Sequence, residues 1–115
     1  MNRAIKLSAT MLAVLTLGVI VGAHSARASG PLELRFEKRQ FVPATLHVPA
    51  NQKLTIRVVN ASHETIEFES FKLNREKAIS PGETITVRLP ALTAGTYDFY
   101  DDFHQDVPQG TIVAK

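Results

Sequence analysis

Between Asp101 and Asp106 the chain sets three carboxylates and one imidazole close together, as Asp101, Asp102, His104 and Asp106, and closes the run with Pro108 and Gly110. An earlier pair, Glu67 and Glu69, flanks Phe68. Oxygen donors with one imidazole suit ferrous or ferric iron, manganese or Cu(II), and do not suit Cu(I). Zinc, usually held by more nitrogen or sulfur, fits less well. Residues two apart on a strand share a face, so Glu67 and Glu69 can converge on one ion. The C-terminal loop thus reads as one wall of a metal site, with the rest of the chain as the scaffold that supplies the opposite wall. Asp101 or Asp102 supplies the carboxylate beside His104: strand parity turns Asp101 inward, and Asp102 stands two residues before the imidazole.

Blander readings stand beside these. Asp101 and Asp102 are also turn formers, and paired glutamates commonly sit on the solvated face of an amphipathic strand. If Phe68 points to a core, Glu67 and Glu69 face outward unless the strand bends. His63, Glu64 and Glu76 are reserve candidates, with Glu76 beside Lys77 also readable as a surface pair. Gly-rich phosphate loops, His-Glu-x-x-His and Gly-x-Ser-x-Gly are all missing, which leaves hydrolytic catalysis without support. Nothing in the residues separates a redox enzyme from a simple binder.

The elements that must position these groups are short strands. Leu32, Leu34 and Phe36 alternate with Glu33 and Arg35; Leu54, Ile56 and Val58 with Thr55 and Arg57; Ile66 and Phe68 with the two glutamates. Ile85, Val87 and Leu89 alternate with Thr84, Thr86 and Arg88, and Tyr97 and Phe99 lead into Asp101. Residues 40–48 carry Pro43 and read as an edge or bent segment. Residues 71–79 are less regular, readable as a loop or helical turn. Seven or so strands with regular turn signals predict an antiparallel β-sandwich. Its expected core is Phe36, Phe41, Phe68, Phe71, Tyr97 and Phe99.

The 115 residues hold one small domain after an export signal. Asn2, Arg3 and Lys6 precede an apolar run from Met11 to Ala23, and Ala26-Arg27-Ala28 offers a small-x-small cleavage pattern. The run is short for a membrane span, which favours removal over retention as an anchor. Residues 1–28 are read as signal peptide and 29–115 as the domain, located in the periplasm. Without the signal, ten basic side chains face eleven acidic ones, a balance with no basic patch for nucleic acid. Both methionines lie in the signal and the chain has no cysteine, so no sulfur ligand and no disulfide is available.

The order of elements resembles the cupredoxins, Greek-key β-sandwiches, over essentially the whole mature chain. The resemblance rests on Phe41-Val42-Pro43, the turn Val48-Pro49-Ala50-Asn51-Gln52, a strand ending in Asn60, Pro81-Gly82, Ala94-Gly95-Thr96-Tyr97, and the loop before Gly110-Thr111-Ile112-Val113. The family's last loop, Tyr-x-Phe-x-Cys-x-x-His-x-x-Met, is matched by Tyr97, Phe99, Asp101, His104 and Val107. Asp101 stands for the copper-binding cysteine and Val107 for the axial methionine, which excludes a blue-copper centre. The Glu67-Phe68-Glu69 strand and the Asp-Phe-His loop look like the exported cupredoxin-like proteins of bacterial iron-transport systems. That resemblance implies a Cu(II) or Fe(II)/Fe(III) ion carried by Glu67, Glu69, Asp101, Asp102 and His104. It also implies a periplasmic iron-binding protein and a high-affinity iron permease as partners, with a role as binder or oxidation partner in ferrous iron uptake. The competing expectations are a Cu(II) carrier or buffer outside iron transport, and a sandwich that has lost its metal and serves protein interaction.

Overall fold

The computed structural model describes residues 32–115; the proposed signal lies outside them. Nine strands follow one another: β1 Leu32–Glu37, β2 Gln40–Val42, β3 Thr45–Val48, β4 Leu54–Asn60, β5 Ile66–Ser70, β6 Arg75–Ile79, β7 Thr84–Leu89, β8 Gly95–Asp101 and β9 Gly110–Ala114. They form a two-sheet sandwich, one sheet ordered β2-β1-β4-β7 and the other β3-β9-β8-β5-β6. Period-two apolar patterning makes this arrangement: in β4, Leu54, Ile56 and Val58 are buried while Thr55 and Arg57 are exposed. Between the sheets Phe41 packs edge-on against Phe36 and Phe99, with ring centroids 5.1 and 5.0 Å away, and Phe99 lies 5.3 Å from Phe68. Such pairs add to the area they bury. Gly110 completes this packing, because a Cβ there would overlap the ring of Phe99.

Three features differ from the sequence expectation, while residues 40–48 lie at the sheet edges as expected. The sheets are mixed, since β1 pairs parallel with β4 and β3 parallel with β9. Parallel neighbours need a crossover between them, and the chain supplies one by passing from β2 in one sheet to β3 in the other. The switch falls at Val42-Pro43, a cis peptide, and divides residues 40–48 into two short edge strands. Residues 71–79 contain strand β6, which carries no apolar alternation because Arg75 and Lys77 share register with the buried Ser70 and Phe68. Inward-directed charges on an edge strand discourage pairing with another chain. Finally, Phe71 lies in the turn after β5, is 80% exposed and is no part of the core, while Tyr97 is only partly buried against it.

Arg75 spans the open edge of the sandwich, its Nε and Nη2 donating to the carbonyl of Arg88 on β7 at 3.1 and 2.8 Å. A cleft of about 380 Å³ lies beside it over Phe68, Ile85 and Val87. The acidic residues singled out above are elsewhere, except Glu76 at its rim.

Candidate metal centre

The parity of β5 decides where its glutamates go. Ile66, Phe68 and Ser70 are buried, so Glu67 and Glu69 project from the outer face of the five-stranded sheet, each partly exposed. Glu69 stands across from Glu76 on β6 and Tyr100 on β8. Asp102 follows β8 directly, and its N–H donates to the carbonyl of Glu67 at 3.0 Å, which holds it alongside that residue. One carboxylate oxygen from each of Glu67, Glu69 and Asp102 lies within 4.8 Å of the others. Among the described residues this is the one such grouping of three potential ligands, and no lysine or arginine pairs with any of its members. Asp102 receives one neutral donor, Gln105 Nε2, at 2.8 Å. The Glu67 carboxyl is accordingly held above the usual carboxylate range, first by lost hydration, then by the charges of Glu76, Asp102, Glu69 and Asp101.

Asp101 and His104 belong to a different arrangement. Asp101 is 1% exposed. Its Oδ1 accepts the N–H groups of Glu67 at 2.9 Å and Phe103 at 3.1 Å, and its Oδ2 lies 2.6 Å from His104 Nδ1. An ionised carboxylate only accepts, so the Nδ1 hydrogen points to Asp101. The other ring nitrogen, Nε2, faces Glu64 Oε2 at 3.2 Å. Glu64 lies 3.7 Å from Arg39, which forms a 2.7 Å pair with Asp106. Arg39 and Lys38 both take positive φ in the two-residue turn between β1 and β2, and that turn brings the guanidinium to the loop before β9.

The start of β5 is fixed from below by Asn60. Its buried side chain donates to the carbonyls of Glu64 at 2.7 Å and Ile79 at 2.9 Å, and accepts from Ser62 N and Oγ. The five residues expected in one shell therefore divide. Glu67, Glu69 and Asp102 converge on the outer face, whereas Asp101 and His104 pair with each other beneath the loop. Of the reserve candidates, Glu64 caps His104, Glu76 adjoins Glu69, and His63 is an exposed loop residue. Arg39 and Tyr100 were not anticipated. The signal for Tyr100 was available, since its offset from Asp101 puts it on the outward face.

These donors do not fit a thiolate copper centre. The cysteine position holds a carboxylate with both oxygens engaged, and the methionine position holds Val107, buried and without a donor atom. The outward trio has the chemistry of a site for a hard cation.

A family model for the cupredoxin-like domain matches residues 9–114. An uncharacterized protein of Rickettsia prowazekii (strain Madrid E) is 38% identical over 84 residues, spanning 73% of this chain and 67% of that protein. Among solved structures, auracyanin A, a "blue" copper protein from Chloroflexus aurantiacus, superposes with a TM-score of 0.61 at 22% identity, covering 75% of this chain and all of the other. The metal-binding domain of the Streptococcus pneumoniae D39 Cu(I)-exporting P-type ATPase CopA gives 0.66 at 15% identity, covering 74% and 84%. A purple cupredoxin from Nitrosopumilus maritimus gives 0.57 at 14% identity, covering 73% and 99%. At these identities the structural likeness is one of fold. From the family match and the two-sheet architecture together, the chain belongs to the cupredoxin-like domain family.

Proposed function

We propose that this protein is an exported, periplasmic metal binder of ferrous iron uptake, holding an iron ion through Glu67, Glu69 and Asp102. The observation that carries the reading is the trio itself: three carboxylates share one small volume with no cationic side chain among the described residues to neutralise them. Like charges placed together on a sheet face cost stability, and a bound cation offsets that cost. Oxygen-only ligation favours iron, manganese or Cu(II) over Cu(I), which sets this chain apart from relatives whose names specify blue copper or Cu(I). Asp101 serves as a support: it accepts the N–H groups of Glu67 and Phe103, tying the start of β5 to the loop after β8, and His104 holds its other oxygen.

The assignment to iron rests on the resemblance to proteins of iron-transport systems, and it names a periplasmic iron-binding protein and a membrane iron permease as partners. A Cu(II) carrier is the second reading, favoured by the Irving–Williams order, under which such a site takes Cu(II) tightly in a test tube. Cellular uptake separates the two. Cells carrying Glu69→Gln in place of the wild-type residue lose ferrous iron accumulation and keep normal copper tolerance if the iron reading holds. The reverse pattern establishes the copper carrier.

A further inference from the structure

The cleft between β6 and β7 carries charge of the opposite sign to the outer trio. These two are edge strands of their respective sheets. Phe68, Ile85 and Val87 give the cleft an apolar floor, and Arg75, Lys77 and Arg88 stand around it. Lys77 is in register with the buried Phe68, so its side chain leaves β6 on the inward side. Glu76 is in register with Glu69 instead, and leaves on the outer face. Arg75 is held in place. Besides its two bonds to the Arg88 carbonyl, its Nη1 donates to the carbonyls of Leu73 at 3.2 Å and Asn74 at 2.8 Å. A guanidinium has five N–H donors, and the fifth, on Nη2, meets no acceptor among the described residues. Nor does any carboxylate among the described residues pair with Arg75, Lys77 or Arg88.

We infer that this cleft binds a small amphiphilic carboxylate, one acid group on a short apolar body, independently of the outer metal site. Its volume of about 380 Å³ lies within the range of small-molecule sites, about 300–1,000 Å³. The body covers Phe68, Ile85 and Val87 and takes apolar surface out of water. The carboxylate accepts from Lys77, Arg88 and the remaining Nη2 hydrogen of Arg75. Charge-assisted bonds of this kind are short and about twice as strong as neutral ones. An added β-strand fits the place less well. Arg75 already holds the Arg88 carbonyl that such a strand would need on the outer edge of β7, and the inward charges of β6 discourage pairing.

The test adds sodium octanoate to the purified, isotope-labelled protein and follows the backbone amides by NMR. Octanol serves as the neutral control with the same body, and acetate as the acid without it. Octanoate is expected to shift the amides of Lys77, Ile85 and Arg88 saturably, and to bind at least about fivefold more tightly than either control. The double variant Lys77→Ala/Arg88→Ala keeps the wild-type thermal midpoint, loses at least about fivefold in octanoate affinity and binds octanol as before. Ile85→Trp fills the cleft and loses both ligands. The absence of a saturable shift, equal affinity for octanoate and octanol, or unchanged octanoate affinity in the double variant overturns the inference. So do shifts centred on Phe71 and Tyr100, the exposed aromatic contact on the other side of β5. None of these outcomes bears on the carboxylate trio, whose metal titrations are read separately.

Discussion

Asp101 and Asp102 are adjacent and chemically alike, yet their surroundings could hardly differ more. Asp101 lies between the sheets with two backbone N–H groups and an imidazole against its oxygens. Asp102 lies on the outer face among other carboxylates, with a single amide donor. Strand parity alone makes the difference, since successive side chains point to opposite faces. The inner carboxylate has donors at both oxygens; the outer ones have no cationic side chain paired with them among the described residues. In this domain Asp101 is part of the scaffold, and the carboxylates without a cationic partner among the described residues lie one layer outward.

The sharpest way to break this contrast is to remove the inner acid. Asp101→Ala leaves three part-buried donors, Glu67 N, Phe103 N and His104 Nδ1, without their acceptor and is expected to cost about 1–3 kcal/mol, read from chemical denaturation. A loss below 1 kcal/mol, roughly the worth of an exposed pair, would mean that Asp101 is no such anchor. His104→Ala follows, with an expected loss of about 1–2 kcal/mol, because Asp101 keeps its two backbone donors. Calorimetric unfolding checks it.

The outer face should respond with the opposite sign. Glu67→Gln relieves repulsion and is expected to stabilise the metal-free protein by about 0.5 kcal/mol, discounted for solvent exposure. Its pH dependence follows from the same cause. The folded state raises the pKa of Glu67, so it binds that proton more tightly than the unfolded chain does. Metal-free stability therefore rises as pH falls through the raised pKa, and drops as pH climbs back and the carboxylate ionises. Metal affinity runs the other way, falling with pH as protons compete for the site. Thermal midpoints and metal titrations across this window test both trends, and Glu67→Gln should flatten the first.

Alternation made much of the fold legible. The apolar positions of β1, β4, β5, β7 and β8 were all readable, and they face the core. The sequence signal failed where tertiary context overrides it. Strand β6 presents Arg75 and Lys77 toward the core side of an edge, erasing the pattern. Phe71, apolar in type, stands in a turn and meets only the Tyr100 ring among the aromatic contacts. Parallel pairing of β1 with β4 depends on where the chain changes sheet, which local composition does not encode. At the candidate site the residue types could be read directly, while their division into an inner pair and an outer trio could not. Strand parity already turns Asp101 inward in the sequence, but its bonds to Glu67 N and His104, which come from tertiary packing, are what assign it to the scaffold.

The most direct measurement is a calorimetric titration of Fe(II) and Cu(II) into Asp102→Asn and His104→Ala side by side. The outward-site account predicts that Asp102→Asn loses at least about tenfold in affinity for both ions, while His104→Ala, once folded, binds like wild type. Retained affinity in Asp102→Asn together with lost affinity in His104→Ala would contradict it and return the ion to the loop imidazole.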